Sequence, residues 1–247
     1  MSAPFSSLPV SPAPVCAPPR YDIYVGIHKG LRALMLDILQ AVGRMDVYDA
    51  AETQAVCARV LELADVCTSH LAHENDFVHP ALEACQPGSS EQIAGEHEEH
   101  LAAIAGLRDA VATLHTASPG YAKERSAFQL YHRLALFLAE NLSHMHHEET
   151  HHNQVLWQGY SDEELRALEG RIVASLTQEQ NLFCLRWIVP AMTPGERAAL
   201  LQGLQAGAPA AVVQAVLATV QPHLHLAEQD KLAQAMVSAA NAERLAA

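Results

Sequence analysis

The sequence predicts an all-α protein, an up-down-up-down four-helix bundle with additional C-terminal helices. Three observations carry that prediction. Apolar residues recur at three- and four-residue steps through four long stretches. Clusters of Gly, Pro and Ser separate them. No stretch shows the sustained period-two alternation of a half-buried strand, and Ala and Leu dominate.

The elements follow in order. Residues 1–20 hold Pro4, Pro9, Pro12, Pro14, Pro18 and Pro19 among Ser and Ala. Such a segment cannot hold a helix, and a disordered or extended lead is expected. After it, Ile23, Ile27, Leu31, Leu34, Met35, Ile38 and Val42 line one face of a first helix, which breaks at Gly43 to Asp46. A second helix runs from about Asp49 to the Pro80 region on a stripe of Val56, Val60, Leu63 and Val66 or Cys67. Pro87-Gly88-Ser89-Ser90 ends it, and Ser90 is placed to cap the third helix, from about Glu91 to Leu114. Ser118-Pro119-Gly120 precedes a fourth helix from about Ala122 to Trp157.

Residues 21–160 therefore form the expected bundle, and short joints favour antiparallel neighbours. Residues 161–247 continue as shorter helices. Three capping-box spellings mark their starts: Ser161 with Glu164, Thr177 with Gln180 and Thr193 with Glu196. Pro194, Pro209 and Pro222 also stand at helix starts. These helices are expected to pack on the bundle or on another subunit, as in a homodimer.

Composition narrows the function. The 247 residues carry 28 Asp and Glu against 15 Lys and Arg, a formal charge of −13, which excludes the electrostatic footprint of a nucleic-acid binder. With 50% hydrophobic and 17% charged residues the chain can bury a sizeable core. The five cysteines form no C-x-x-C pair, so neither a disulfide framework nor a thiolate zinc site is expected, and a reducing, cytoplasmic compartment fits. No apolar run is long enough to span a membrane, and no signal peptide is visible. There is no P-loop, G-x-G-x-x-G or Ser-His-Asp arrangement, so any catalysis should be metal-borne.

The unusual count is histidine. There are 15, more than Phe, Tyr and Trp together, and 13 lie between His28 and His152. On the second helix His70 and Glu74 are four apart, which at ~100° per residue places them on one side, with His73 nearby and His79 roughly opposite. The fourth helix repeats the spelling with His144 and Glu148. His147, His151 and His152 share that broad face, whereas His146 and Glu149 point away. His28 lies on the apolar stripe of the first helix. On the third, His97 is in register with Leu101, Ile104 and Leu107, and His100 lies near the same side. Each helix thus delivers imidazole inward, and two add a carboxylate one turn on. Imidazole and carboxylate are ligands of first-row transition metals, and a metal would compensate two buried glutamates. Taken singly, each His-x-x-x-Glu pair would pass for a solvated i,i+4 pair. Glu98 and Glu99 read as solvated surface, and Cys57 and Cys67 as core.

This order, His28, then His70-x-x-x-Glu74, then His97, then His144-x-x-x-Glu148, resembles the hemerythrin-like, or HHE cation-binding, family. Ile27-His28-Lys29-Gly30-Leu31-Arg32, Pro80-Ala81-Leu82 and Glu148-Glu149 agree with it. The tail, from Asp162-Glu163-Glu164-Leu165 through Arg186-Trp187 to Pro209, is similar to segments that follow such domains in larger members. The resemblance implies a four-helix bundle around a non-haem di-iron centre, two iron ions per chain, held by His28, His70, Glu74, His97, His144 and Glu148, with both glutamates bridging. Zinc or manganese also suits such donors. The oxygen-carrying hemerythrins have a further histidine where this chain has Leu101. His100, His73, Tyr24 or solvent could take its place. The expected function is binding, sensing or reacting with O2, NO or peroxide. A metal-dependent redox enzyme turning over peroxide or NO, and an iron- or oxygen-responsive module signalling through the C-terminal helices, are the alternatives.

Overall fold

The computed structural model describes residues 20–246, with side chains through residue 236. The expected Pro-rich lead falls outside this range except for Arg20. No strand occurs among the described residues.

The chain enters through Arg20, whose guanidinium donates to Asp162 (2.5 Å) and to the carbonyls of Trp157 (3.1 Å) and Tyr160 (2.6 Å). Helix α1 spans Val25–Arg44 and buries Leu31, Leu34, Met35, Ile38 and Val42, the stripe expected of it. Asp49 caps α2 (Ala50–His73) by accepting from the backbone of Ala51 and Glu52. The second helix does not stop at Pro80. It passes through a π-helical turn, Glu74–Val78, and continues as α3 (His79–Cys85). Pro80 lacks an N–H and its ring crowds the carbonyl four residues back. The widened turn, in which the His79 N–H bonds the Glu74 carbonyl, accommodates it at the start of α3.

Helix α4 spans Glu91–Thr116. Its expected cap differs in detail: Ser90 makes no side-chain cap bond, and its hydroxyl donates instead to Glu83 at 2.6 Å. Gly120, at φ 90°, turns the chain into α5 (Tyr121–His147). A second π turn follows, Glu148–His152, and then α6 (Asn153–Gly159).

The helices close a ring in which α1 packs on α2 and α5, α2 on α4, and α4 on α5. This is the up-down-up-down bundle. Its interior holds two apolar clusters rather than one. The first gathers Leu34, Met35, Ile38, Leu63, Leu107, Leu130, Leu134 and Phe137 from α1, α2, α4 and α5. The second gathers Tyr24, Val78, Leu82, Val155 and Leu156, mostly at or beyond the turns, with Leu165 and Leu168 from the tail. A one-residue register shift in the second and fourth helices separates the faces with which they serve the two clusters.

The tail comprises α7 (Asp162–Ser175), α8 (Gln178–Ala191), α9 (Pro194–Gly207), α10 (Ala210–Val220) and α11 (Leu226–Ala246). All three capping boxes form, at Ser161, Thr177 and Thr193. Helix α8 lies along α1. A Cβ added at Gly30 would meet the Ile188 side chain at 2.7 Å and its backbone nitrogen at 3.1 Å, so only glycine permits this approach. Lys29 donates to Glu196 of α9 on the same side. The tail has its own core of Val189, Leu201, Val216, Val220, Leu224 and Leu232. Arg197 is buried beside it. Its guanidinium donates to the carbonyls of Val189, Pro190 and Met192 around the end of α8, and to Glu228 of α11.

Candidate metal centre

Six side chains meet between the two apolar clusters. His28 comes from α1, His70 and Glu74 from the second helix, His97 from α4, and His144 and Glu148 from the fourth. Two groups within them place their donor atoms close enough to share an ion: Glu74, His97, His144 and Glu148, and His28, His70 and Glu74. Glu74 belongs to both. All but the partly buried His70 are buried.

The distances, 3.2–3.7 Å, are close to those of a ligand shell. Donors held about 2.1 Å from one metal stand roughly 3.0–3.4 Å apart. Glu74 Oε1 lies 3.3 Å from His70 Nε2 and 3.7 Å from His28 Nε2, and its Oε2 lies 3.5 Å from His97 Nε2. One carboxylate oxygen thus serves each group. Glu148 Oε2 is 3.4 Å from His28 Nε2 and 3.5 Å from His144 Nε2. The Nε2 atoms of His97 and His144 approach to 3.2 Å.

Three of the four histidines are oriented from behind. His28 Nδ1–H donates to Glu149 (3.1 Å), His97 Nδ1–H to Asn75 (2.8 Å) and His144 Nδ1–H to Glu96 (2.9 Å). A proton on Nδ1 leaves the Nε2 lone pair for a metal, and such acceptors raise ligand basicity. Arg32 in turn donates to both oxygens of Glu149. Residue spacing could not reveal these acceptors, because in each pair acceptor and histidine sit on different helices.

The protein alone does not satisfy this chemistry. His28 Nε2, His70 Nε2 and both oxygens of Glu74 and of Glu148 are buried without a hydrogen-bond partner. Burial and the neighbouring charge of Glu74 push the Glu148 carboxyl well above its ordinary range. Burial acts on Glu74 in the same sense, but His70, His28 and His97 outweigh it and hold that carboxyl well below. One proton is thus retained on a carboxylate pair that cannot both ionise unaided. Burial also lowers His70 and His144 to about 4, keeping them neutral. Cations between the two carboxylates would let both ionise and would satisfy the donor atoms that lack a partner. The residues fit a metal.

Other histidines depart from the expectation. His79, placed by regular helix geometry on the opposite side, is buried and stacked on His97 with ring centroids 5.0 Å apart. The π turn absorbs one residue, so His79, five after Glu74, returns to the inner face. Glu149 does not point away from the site; it reaches His28. His151 is exposed, although it was expected on the inner face, while His152 is fully buried and His147 half-buried. His73 tilts against Phe77 and lies outside both donor groups. His100 is buried edge-on to His144, whereas Leu101 is 42% exposed and faces away from the centre. Tyr24 is buried and stacked on His28.

Among the described residues no helix is long and apolar enough to cross a membrane. No curated protein and no solved structure matches the chain. The family model described as the Hemerythrin HHE cation binding domain matches residues 20–154, a span that contains all six donors and both π turns. With more than half its length matched and a buried His/Glu cluster able to hold metal, the chain belongs to the hemerythrin HHE cation-binding domain family.

Proposed function

We propose that the chain holds a non-haem di-iron centre that binds, senses or reacts with O2, NO or peroxide. The observation that carries this reading is Glu74, whose two oxygens face two separate groups of histidines. His70, His28 and Glu74 would hold one ion, and His97, His144 and Glu148 the other, with Glu74 and Glu148 shared. Iron there would supply reversible one-electron change and open positions for a small ligand. The chain's own residues do the rest. Glu149, Asn75 and Glu96 fix the imidazole tautomers, and the apolar clusters on either side keep bulk water out and the local dielectric low.

Elemental analysis of protein isolated without added metal tests the proposal, with about two iron ions per chain expected. Zinc or manganese at the same stoichiometry would keep the site and change the metal. A His70→Ala, Glu148→Ala double variant that retained full iron would overturn it.

A second reading has its own support. The tail rests on α1 at Gly30 and Lys29, within two residues of His28. A shift of α1 on metal binding would therefore move α8 and α9, as in a regulatory module. Limited proteolysis should then cut the 161–247 region at different rates in metal-loaded and metal-free protein. Identical digestion patterns would remove this reading.

A further inference from the structure

Large apolar side chains exposed to solvent are not spread evenly over the surface. Of the ten among the described residues, four lie on α5: Tyr121, Phe128, Leu136 and Leu142. A fifth, Leu36 of α1, borders them. Leu36 stands four residues from Arg32, which reaches Glu149, and seven from Gly43, where an added Cβ would meet the Tyr131 ring at 2.9 Å. At ~100° per residue these three positions share the flank of α1 that lies next to the fourth helix. Single exposed apolar residues are ordinary, whereas a contiguous patch marks a contact surface.

Phe128, His132 and Leu136 stand at i, i+4 and i+8 and form one ridge along the outer face of α5. Phe128 is 62% and Leu136 61% exposed. The Phe128 and His132 rings meet edge-on with centroids 4.3 Å apart. The bundle core lies on the opposite face, with Leu130, Leu134 and Phe137. Between Arg125 and Glu140 the only charged residue is Arg133, and it leans toward α4, where a Cβ on Gly106 would meet its Nη1 at 3.1 Å. Two copies of a chain with a formal charge of −13 repel, so contact between them is least opposed along a ridge that carries no carboxylate.

The residues that bound the ridge identify its occupant. Arg125 lies seven residues before His132 and Glu140 eight after it. Both are exposed, and neither has an ion pair or hydrogen bond among the described residues. Phe128 and Leu136 stand four residues to either side of His132. A two-fold axis at His132 would lay a second α5 antiparallel on the first. Phe128 would then meet Leu136 of the partner subunit, and Arg125 would approach Glu140 of the partner subunit. Each contact occurs twice, as a self-complementary two-fold interface requires.

We infer that the outer face of α5 is a docking surface for a second copy of this chain, with the two α5 helices antiparallel about His132. The inference is independent of which metal the centre holds.

Sedimentation equilibrium of the full chain tests it, with metal content and circular dichroism read on the same samples. The wild type should be dimeric at about 100 μM. Leu136→Asp and Phe128→Asp should each weaken the dimer at least about 30-fold, as expected of central contact residues. Both replace exposed side chains, so fold and metal content should hold. Arg125→Glu and Glu140→Arg should each weaken the dimer about fivefold or more, because the two-fold sets like charges together twice. Combining them should restore the wild-type affinity, a rescue that a partner of different sequence would not show. A wild type that is monomeric at that concentration would overturn the inference and assign the ridge to another protein. A dimer that survives Leu136→Asp would also overturn it, and loss of that dimer on changing the exposed Leu226 to Asp would place the contact on the tail. A double charge variant no tighter than the single ones would overturn the antiparallel pairing about His132.

Discussion

Glu74→Ala should empty both metal positions at once. Glu74 is the one side chain in both donor groups, with Oε1 toward His70 and His28 and Oε2 toward His97. Even an outer partner of a metal ligand typically governs about 10- to 100-fold in affinity, so removing a donor shared by two ions should exceed ~100-fold at each. Metal content should fall to near zero, where His70→Ala, which touches one group, should leave roughly half. The metal-free variant should still fold. Alanine removes a buried carboxylate that has no hydrogen-bond partner in the protein, and it leaves the stripes of α1, α2, α4 and α5 untouched. Elemental analysis beside circular dichroism checks both halves. Two full equivalents of metal in Glu74→Ala would show that the two groups do not share a bridge.

Arg197→Ala should give the largest loss of stability in the tail, about 3–5 kcal/mol. The residue is 1% exposed but the Glu228 side chain is 31% exposed, so the loss comes chiefly from the carbonyl contacts and the cavity. Its loss strands the carbonyls of Pro190 and Met192, leaves that of Val189 with only the Met192 N–H, and takes the cation from Glu228. It also opens a cavity beside Val189 and Leu201. In a protein of this size the melting temperature should drop by roughly 6–20 °C if unfolding is cooperative. A separate early transition would show that the tail unfolds on its own while the bundle stays intact. A drop below about 2 °C would mean that the stranded carbonyls find water at little cost.

Much of the bundle was legible because its determinants are local. Leu31, Leu34, Ile38 and Val42 mark a buried face by their spacing alone, and a capping box such as Ser161 with Glu164 is complete within four residues. The candidate metal-site residues were legible for the same reason, since His70 with Glu74 and His144 with Glu148 are pairs one turn apart. What stayed hidden depends on contacts between helices or on backbone that leaves the regular period. Glu96 behind His144 is 48 residues away in the chain. His79 was misplaced because a count at ~100° per residue assumes an unbroken α-helix, and the π turn at Glu74–Val78 breaks it. Ser90 could have capped α4, but Glu83 competes for its hydroxyl. The position of α8 on α1 depends on Gly30, and an isolated glycine within a helix does not announce which neighbour it admits.

The polar layer at the π turns lies between two apolar clusters. That placement has a kinetic consequence. Five of the six donors are buried and the His70 side chain is 12% exposed, so a small molecule would enter past His70 or when side chains part, and capture should be slower than diffusion. The same barrier would lengthen the residence of whatever has entered. The pair of clusters would thus slow exchange with the surroundings as well as support the fold.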